Sequence, residues 1–303
     1  MAEPTKEASM SNRFVPLTPR IGAKAVLRRD DVLDPAFADE YRAALERYGV
    51  LLFPQIGLSD EEQVAFSRNL GDVIPQGPMR ADGTQEVVFK ITLDPRENPS
   101  AEYLKATTGW HIDGLFEDGP PPKATMLSAR RLSATGGQTE FCSTYAAYND
   151  LPKGERQYYE SLRIVHSLEA SNRATNPNPN PEELARWREA EARRDRAGRI
   201  GVKEHPLVWR HQTGRKSLVL GMTVDHVAGM PEAESRALIE KLSAHATRRE
   251  IVYRHEWQVG DILIWNNCGV MHRVIPYGAD SGRLMHRTVL HGVERIKGVE
   301  RMN

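Results

Sequence analysis

The sequence predicts a mainly β fold in which antiparallel strands form a sandwich or jelly roll and helices pack outside it. Two observations predict this class: a helix-strand-helix opening, and a long series of short β-rich runs separated by Gly and Pro. The 303 residues are 40% hydrophobic and 27% charged, which suffices for one sizeable core. We therefore expect a single domain over residues 14–303, preceded by a disordered tail at 1–13.

The opening unit is a helix, a strand and a second helix. Asp34 is a suitable N-cap, Pro35 suits the first helical position, and Gly49 is a stop signal. The apolar run VLLFP at 50–54 predicts a short strand. Ser59 and Glu62 have the spacing of a capping box, which predicts that the second helix begins there.

The β-rich part consists of short apolar runs: EVVFKITL, KATMLSARRL, GGQTEFCST, RIVHSL, HPLVWRH, KSLVLGM, EIVYRHEW, GDILIWNN and GRLMHRTVLHG. One helix over 231–247 interrupts this series. A polar insertion at about 170–203 contains Asn-Pro repeats, which disfavour regular structure, and then a charged helical stretch. The insertion is either a mobile lid or a solvated surface excursion.

The charge balance points to a small-molecule partner. Lys and Arg total 41, as do Asp and Glu, so no excess of basic residues favours nucleic acid or an anionic membrane. No run approaches the roughly 18 apolar residues of a membrane helix, and the N-terminus lacks the apolar core of a signal peptide. Cys142 and Cys268 suggest neither a disulfide framework nor a thiolate zinc site, so we expect a cytoplasmic location.

The stretch TGWHIDGLF contains the first candidate metal ligands. In an extended segment His111 and Asp113 point to the same side, while Ile112 points to the other side and into the core. With ten histidines in the chain, this pattern alone fits an ordinary turn better than a metal site. A metal site requires another ligand from a distant segment.

His272 is the best candidate for that ligand, because it follows the apolar strand DILIWNN after a short connection. Together with His111 and Asp113 it would form the set of two imidazoles and one carboxylate found in non-haem Fe(II) oxygenases. Ligand type alone leaves zinc as an alternative.

Two arginines favour iron over zinc. Arg283 and Arg287 follow His272 by eleven and fifteen residues, and in the run GRLMHRTVL they share one face of a predicted strand. Arginine is rarely buried without an anionic partner, so the pair indicates a dicarboxylate cosubstrate near the metal.

These motifs together resemble the taurine dioxygenase and 2,4-dichlorophenoxyacetate dioxygenase family of Fe(II)- and 2-oxoglutarate-dependent enzymes. The resemblance extends from about residue 22 to residue 292. It rests on three motifs and the arginine pair: Trp110, His111 and Asp113; Gly136, Gly137 and Thr139; Trp265, Asn266, Asn267 and His272; Arg283 and Arg287.

The resemblance implies a double-stranded β-helix, that is, a jelly roll with a cupin-like core. It also implies that the enzyme uses Fe(II), 2-oxoglutarate and O₂. Thr139 and Arg283 would bind the distal carboxylate of 2-oxoglutarate, while Arg287 would bind its inner carboxylate or the acid group of the substrate. Relatives of this kind suggest a homo-oligomer, a dimer or a tetramer.

The sequence departs from the family pattern at two places. The motif W-D-N-R is WNNC here, so Asn266 and Cys268 replace an acid and a base, and a local ion pair is missing. Gln76 occupies the region where taurine-cleaving members carry a histidine, which argues against taurine as the substrate. The candidate substrate contacts are Trp110, Gln76, Lys105, Met222, His226 and Arg287.

The implied reaction is hydroxylation of a small, anionic organic substrate, with or without C–O, C–N or C–S cleavage, and with release of succinate and CO₂. The anion would be a carboxylate, sulfonate or sulfate. A neutral or amino-acid-derived secondary metabolite is the alternative substrate. A zinc hydrolase and a non-catalytic metal-binding jelly roll are the competing classes.

Overall fold

The computed structural model describes residues 13–98, 101–196 and 202–298, without the side chains of residues 102, 103, 105, 106 and 190–196. The predicted tail therefore lies outside the described residues except for Arg13, whose guanidinium carbon is 4.2 Å from the centre of the Phe37 ring. No helix in the described ranges is both long enough and apolar enough to cross a lipid bilayer.

The described residues form sixteen strands, which are β1 (Phe14–Pro16), β2 (Ala23–Ala25), β3 (Val50–Phe53), β4 (Val73–Ile74), β5 (Phe89–Ile91), β6 (Ala124–Arg131), β7 (Thr139–Ser143), β8 (Arg163–His166), β9 (Lys203–Pro206), β10 (Val208–Arg210), β11 (Lys216–Leu218), β12 (Val224–Val227), β13 (Val252–His255), β14 (Ile262–Asn266), β15 (Val270–Val274) and β16 (Leu284–Leu290).

The same residues form nine α-helices, which are α1 (Arg29–Leu33), α2 (Ala38–Tyr48), α3 (Asp60–Leu70), α4 (Ala101–Leu104), α5 (Thr144–Asn149), α6 (Lys153–Glu160), α7 (Leu168–Thr175), α8 (Pro181–Arg196) and α9 (Glu232–Ala246). Single 3₁₀ turns lie at Pro35–Phe37, Lys105–Thr108 and Arg249–Ile251.

Two sheets pack face to face and form the core of the jelly roll. The larger sheet has the order β1-β2-β3-β14-β6-β16-β4, with β5 also paired to β16, and the facing sheet has the order β13-β7-β15. Every pair in these sheets is antiparallel except β2 with β3. Buried side chains from both sheets meet between them, notably Leu127, Leu263 and Trp265 from one and Phe141 and Val270 from the other. The predicted jelly roll with flanking helices is confirmed.

The larger sheet is buried on both faces, which explains the continuous apolar runs in its strands. Along β14, Leu263 and Trp265 point towards the facing sheet, whereas Ile262 and Ile264 pack with residues of α2 and α3. A further apolar cluster around Trp209 includes residues of β8, β10, β11, α5 and α9. The metal ligands described below come from segments at the inner face of the jelly roll.

Several predicted boundaries are confirmed. Asp34 accepts a hydrogen bond from the Ala36 amide, Ser59 and Glu62 form the predicted capping box, and Gly49 follows α2 with a φ of 74°. The insertion at 170–203 starts inside α7. Its first residues, Ala170 and Ser171, are buried and not exposed to solvent. Its function as a lid stays a prediction.

The short connection predicted before His272 is present as a turn, but His272 itself lies in a strand that sequence analysis did not predict. His272 lies in β15, which pairs with β7, whereas the preceding strand β14 pairs with β3 and β6. The turn between β14 and β15 therefore carries the chain from the larger sheet to the facing sheet. Sequence analysis missed β15 because the run that contains it is short and lacks a period-two pattern.

Candidate metal centre and active site

One large cavity, of about 880 Å³, lies at the inner face of the larger sheet. Its wall contains all three predicted metal ligands, His111, Asp113 and His272. It also contains five of the predicted cosubstrate or substrate contacts: Thr139, Arg283, Arg287, Gln76 and Met222. This volume is in the usual range for a site that binds small molecules.

Backbone pairing brings the two histidines together. His111 and His272 form an isolated antiparallel bridge, with N–O distances of 3.0 and 2.9 Å in the two directions. Nε2 of each ring lies 3.8 Å from Asp113 Oδ1. Ile112, which lies between His111 and Asp113 in the sequence, packs into the core as predicted. One donor atom from each residue lies within 4.8 Å of the others, so a single ion could contact all three.

The protonation states also suit a cation. His111 Nδ1 lies 2.8 Å from the Gly109 carbonyl oxygen, which can only accept, so Nε2 is left as the metal donor. Burial, with further contributions from His111 and Arg287, lowers the pKa of His272 to about 3 and keeps that ring neutral. Burial alone would raise the pKa of Asp113, but the neighbouring imidazoles, the Arg287 charge and the hydrogen bond from Thr125 together lower it, so the carboxylate is ionised. Neutral imidazoles and an ionised carboxylate are the forms that bind metals.

Hydrogen bonds behind the carboxylate hold Asp113 in place. Thr125 Oγ1 donates to Asp113 Oδ2 at 2.8 Å, Asn267 Nδ2 donates to Thr125 Oγ1 at 3.0 Å, and Trp265 Nε1 donates to Asn267 Oδ1 at 3.0 Å. The altered motif WNNC thus keeps Asn267, which supports Asp113 through Thr125. Sequence analysis missed Thr125, since only the pairing of β6 with β14 brings it to this position.

Arg283 also lines the cavity and is 3% exposed. Its Nη2 donates to the Gly137 carbonyl at 3.1 Å, and its guanidinium carbon lies 4.7 Å from the centre of the Tyr277 ring. Burial lowers the pKa of Arg283, although Tyr277 opposes this effect. No carboxylate in the described part of the chain forms an ion pair with it. A buried guanidinium of this kind is suited to bind an anionic ligand.

The neighbouring Gly-Gly-x-Thr segment is adapted to this arginine. A Cβ on Gly137 would lie 2.9 Å from Arg283 Nε, and the φ of Gly137 is +80°, so a side chain there would clash and strain the backbone. Thr139 Oγ1 accepts a hydrogen bond from Trp257 Nε1 at 3.0 Å, which leaves its own hydrogen for a carboxylate. Sequence analysis did not identify Trp257.

Arg287 faces the same cavity from β16. Its Nη2 donates to Gln76 Oε1 at 2.7 Å, and its guanidinium carbon lies 5.1 Å from the centre of the Phe89 ring. Its Nε is buried and has no protein partner among the described residues. Arg283 precedes the strand, and the register of β16 with β6 shifts between Leu284 and Met285, yet both arginines line the cavity.

The remaining predicted contacts differ in position. The Met222 amide donates to the Trp110 carbonyl at 2.7 Å, and Met222 lines the cavity. Trp110 is outside the described lining and lies under Arg273, with 4.7 Å between the guanidinium carbon and the ring centre. His226 is exposed, also outside that lining, and pairs with Asp225 at 2.8 Å. Lys105 begins a 3₁₀ turn, and its side chain is outside the described part.

Arg283, which is buried, and Arg287, which is half-buried, line the same cavity as the metal triad, an arrangement suited to an anionic cosubstrate. The site thus has the features of a class of protein, the non-haem Fe(II)- and 2-oxoglutarate-dependent dioxygenases, which use O₂. The family model described as "Taurine catabolism dioxygenase TauD, TfdA family" matches residues 13–289. The chain therefore belongs to this family.

Characterised relatives cover most of the chain. The alpha-ketoglutarate-dependent 2,4-dichlorophenoxyacetate dioxygenase of Cupriavidus pinatubonensis is 34% identical over 82% of this chain and 86% of its own length. The alpha-ketoglutarate-dependent sulfate ester dioxygenase of Pseudomonas putida is 32% identical over 91% of this chain and 88% of its own. The crystal structure of AAD-2 in complex with Mn(II) and N-oxalylglycine has a TM-score of 0.75 at 29% identity and covers 94% of this chain and 98% of that one.

Proposed function

We propose that this dioxygenase oxidises a small organic substrate bearing a carboxylate, sulfonate or sulfate group, while 2-oxoglutarate is converted to succinate and CO₂. The observation that carries this proposal is Arg287, a second cation in the cavity that is separate from Arg283 and has an unpartnered, buried Nε. Two cations that point into one cavity can bind two anions.

His111, Asp113 and His272 would hold the iron. When bound there, Fe(II) would supply the activation of O₂ that is coupled to the decarboxylation of 2-oxoglutarate. Arg283 and the Thr139 hydroxyl would bind the distal carboxylate of 2-oxoglutarate, since one contributes a charge and the other a directed hydrogen. Tyr277 and Gly137 contact the Arg283 guanidinium and would restrain it for binding this carboxylate.

Arg287 and Gln76 would bind the acid group of the substrate. The Gln76 carbonyl oxygen accepts from Arg287, so its amide nitrogen can donate to the anion that Arg287 binds. An amide in this place differs from the histidine of taurine-cleaving members and argues against taurine. The two relatives named above, a 2,4-dichlorophenoxyacetate dioxygenase and a sulfate ester dioxygenase, support an anion of this size.

The remainder of the cavity suits an apolar substrate body. Leu104, Phe116 and Met222 contribute to its wall, and Ser171 of α7 lies there too. The insertion at 170–203 would act as a lid that excludes water during the reaction. The protein's contribution to specificity is then to place one C–H bond of the substrate next to the metal while the acid group is fixed at Arg287.

Succinate formation tests the proposal directly. Purified protein is supplied with Fe(II), ascorbate and 2-oxoglutarate, and then with aryloxyalkanoates, sulfate esters, sulfonates and amino-acid-like acids, each beside its neutral ester, amide or alcohol. We expect at least one acid to stimulate succinate release far more than its neutral counterpart. Equal stimulation by neutral analogues would contradict the anionic substrate, and tightly bound zinc without any turnover would contradict the reaction class.

A homodimer or homotetramer and a cytoplasmic location stay predictions. Light scattering during size-exclusion chromatography of the purified protein would give the oligomeric state.

A further inference from the structure

The two departures from the W-D-N-R motif, Asn266 and Cys268, lie at the end of β14 and in the turn that leads to β15. Asn266 Nδ2 donates to Glu46 Oε2 at 3.0 Å, and Asn266 Oδ1 accepts from the Cys268 amide at 3.0 Å. Glu46 is 220 residues away in sequence, near the end of α2. The family motif has a carboxylate at position 266 itself. In this chain the carboxylate belongs to Glu46 of α2, which contacts the residue at position 266.

Two cations complete this contact. Lys123 Nζ lies 3.1 Å from Glu46 Oε2, and Arg215 Nη1 lies 3.5 Å from Glu46 Oε1 and also donates to the Glu46 main-chain carbonyl. The Arg215 guanidinium carbon lies 3.6 Å from the centre of the Tyr145 ring. Burial alone would raise the pKa of Glu46, but Lys123 and Arg215 outweigh burial and lower it. The acid and the base that the local motif lacks are thus both present.

The cluster of Glu46, Lys123, Arg215 and Asn266 is joined to the metal site by short backbone and side-chain links. The Asn267 amide donates to the Lys123 carbonyl at 3.1 Å, and the Asn267 side chain supports Thr125 and hence Asp113. The Asn266 amide donates to the Gly49 carbonyl at 2.9 Å. His272 follows this turn along β15. Movement of the turn would therefore shift the support of one metal ligand and the strand of another.

We propose that Glu46, with Lys123 and Arg215, is a positioning group that replaces the missing motif ion pair and holds the β14–β15 turn for metal binding. The inference rests on the metal site of the proposed function. Charge-assisted hydrogen bonds restrain geometry more strongly than neutral ones. Groups behind metal ligands change metal affinity by about ten- to a hundredfold when they are removed.

An exchange of side chains across one hydrogen bond tests this role. Glu46→Gln removes the carboxylate between the two cations, and Asn266→Asp places a second carboxylate beside Glu46. We expect each single variant to bind Co(II) about tenfold more weakly, measured from the visible spectrum. The double variant Glu46→Gln/Asn266→Asp keeps one amide and one carboxylate in contact, and we expect its affinity to return to within about threefold of wild type.

Glu160→Gln is the matched control. Glu160 pairs with Lys216 at 2.7 Å and with Tyr148, so this variant also loses a partly buried ion pair, but one that does not contact the turn. We expect its Co(II) affinity to equal that of wild type. Weaker metal binding in the control, or losses in Glu46→Gln and Asn266→Asp that add in the double variant, would overturn the positioning role.

Amide hydrogen exchange in metal-free protein separates this inference from the proposed function. We expect faster exchange at residues 266–269 in both single variants and recovery in the double variant. If wild type bound no metal through His272, the metal-site proposal would fail, while the exchange pattern would still decide whether Glu46 holds the turn. Unchanged exchange in the single variants would contradict the inference on its own.

Discussion

Asp113 and Thr125 are joined by a 2.8 Å hydrogen bond in which the threonine hydroxyl donates to Oδ2 of the carboxylate. The same hydroxyl accepts from Asn267 Nδ2, so its single hydrogen is committed to Asp113. The other carboxylate oxygen, Oδ1, is the one that both imidazoles approach at 3.8 Å. The hydroxyl therefore selects which oxygen of Asp113 faces the metal position.

Removal of this hydroxyl should weaken metal binding without loss of the fold. Thr125→Val keeps the shape of the side chain but cannot donate to Asp113, and we expect metal affinity to fall by about ten- to a hundredfold. Thr288→Val is the matched control, because it removes a buried hydroxyl that bonds to Ser67 Oγ at 2.7 Å on the helix side of the same sheet. Both variants should lose about 1 kcal/mol of stability in urea. Equal metal affinity in the two would contradict the assignment.

Loss of either imidazole ligand should be more severe. His111→Ala or His272→Ala leaves two of the three protein ligands, so we expect metal content and succinate formation to fall to background while the circular dichroism spectrum is retained. His226→Ala is the control, since His226 is exposed and outside the described cavity lining. Full activity in either ligand variant would refute the triad.

Arg283 should determine the affinity for 2-oxoglutarate. A charge-assisted hydrogen bond contributes about 1.5–3 kcal/mol, so Arg283→Gln should raise KM for 2-oxoglutarate roughly ten- to a hundredfold. Trp257→Phe should have a smaller effect, because it only frees the Thr139 hydroxyl that Trp257 now orients. Steady-state kinetics with varied 2-oxoglutarate measures both. An unchanged KM in the Arg283 variant would show that another group binds the distal carboxylate.

Arg287 should make the enzyme selective for acids. Wild type should turn over an acid substrate much faster than its methyl ester or amide, and Arg287→Ala should lose this preference, because the cation that pairs with the acid group is absent. Gln76→Leu should reduce the preference less, since it keeps the charge and removes only one hydrogen-bond partner of Arg287. If wild type does not distinguish the acid from its neutral analogue, Arg287 serves 2-oxoglutarate alone.

His166 should make the fold sensitive to acid. Burial, with a contribution from His205, lowers the pKa of His166 to about 3, so the unfolded chain binds a proton that the folded chain excludes between about pH 6.5 and pH 3. The contribution of neutral His166 to the free energy of unfolding is therefore complete above about pH 6.5. It is lost as the pH falls through that window, by about 1.4 kcal/mol per pH unit for one such proton.

Urea unfolding of metal-free protein from pH 7.5 to pH 4.5 measures this slope. His166→Gln can still accept from or donate to Thr223, which lies 2.8 Å from His166 Nδ1, and it cannot titrate. We expect the slope of stability against pH to be smaller in this variant by about one proton. Identical slopes in the two proteins would show that other groups account for the acid sensitivity.

Features that depend on neighbours in sequence could be predicted. The Ser59 capping box and the stop at Gly49 follow from backbone sterics and local hydrogen bonds, which operate within a few residues. The inward position of Ile112 between His111 and Asp113 follows from the alternation of an extended segment. The spacing of Arg283 and Arg287 predicted that both share one face of one strand; Arg283 precedes β16, but both arginines line the same cavity.

By itself, then, the sequence determined the local elements, and it predicted the triad residues and the charges available for an anionic cosubstrate. Only the tertiary structure decided which distant groups support them: Thr125 behind Asp113, Gln76 on Arg287, Trp257 on Thr139 and Glu46 beside Asn266. Glu46 and Asn266 are 220 residues apart, so no local periodicity relates them. Their contact arises from the packing of α2 against the larger sheet and from the crossing of the chain between two sheets, which depend on the whole core.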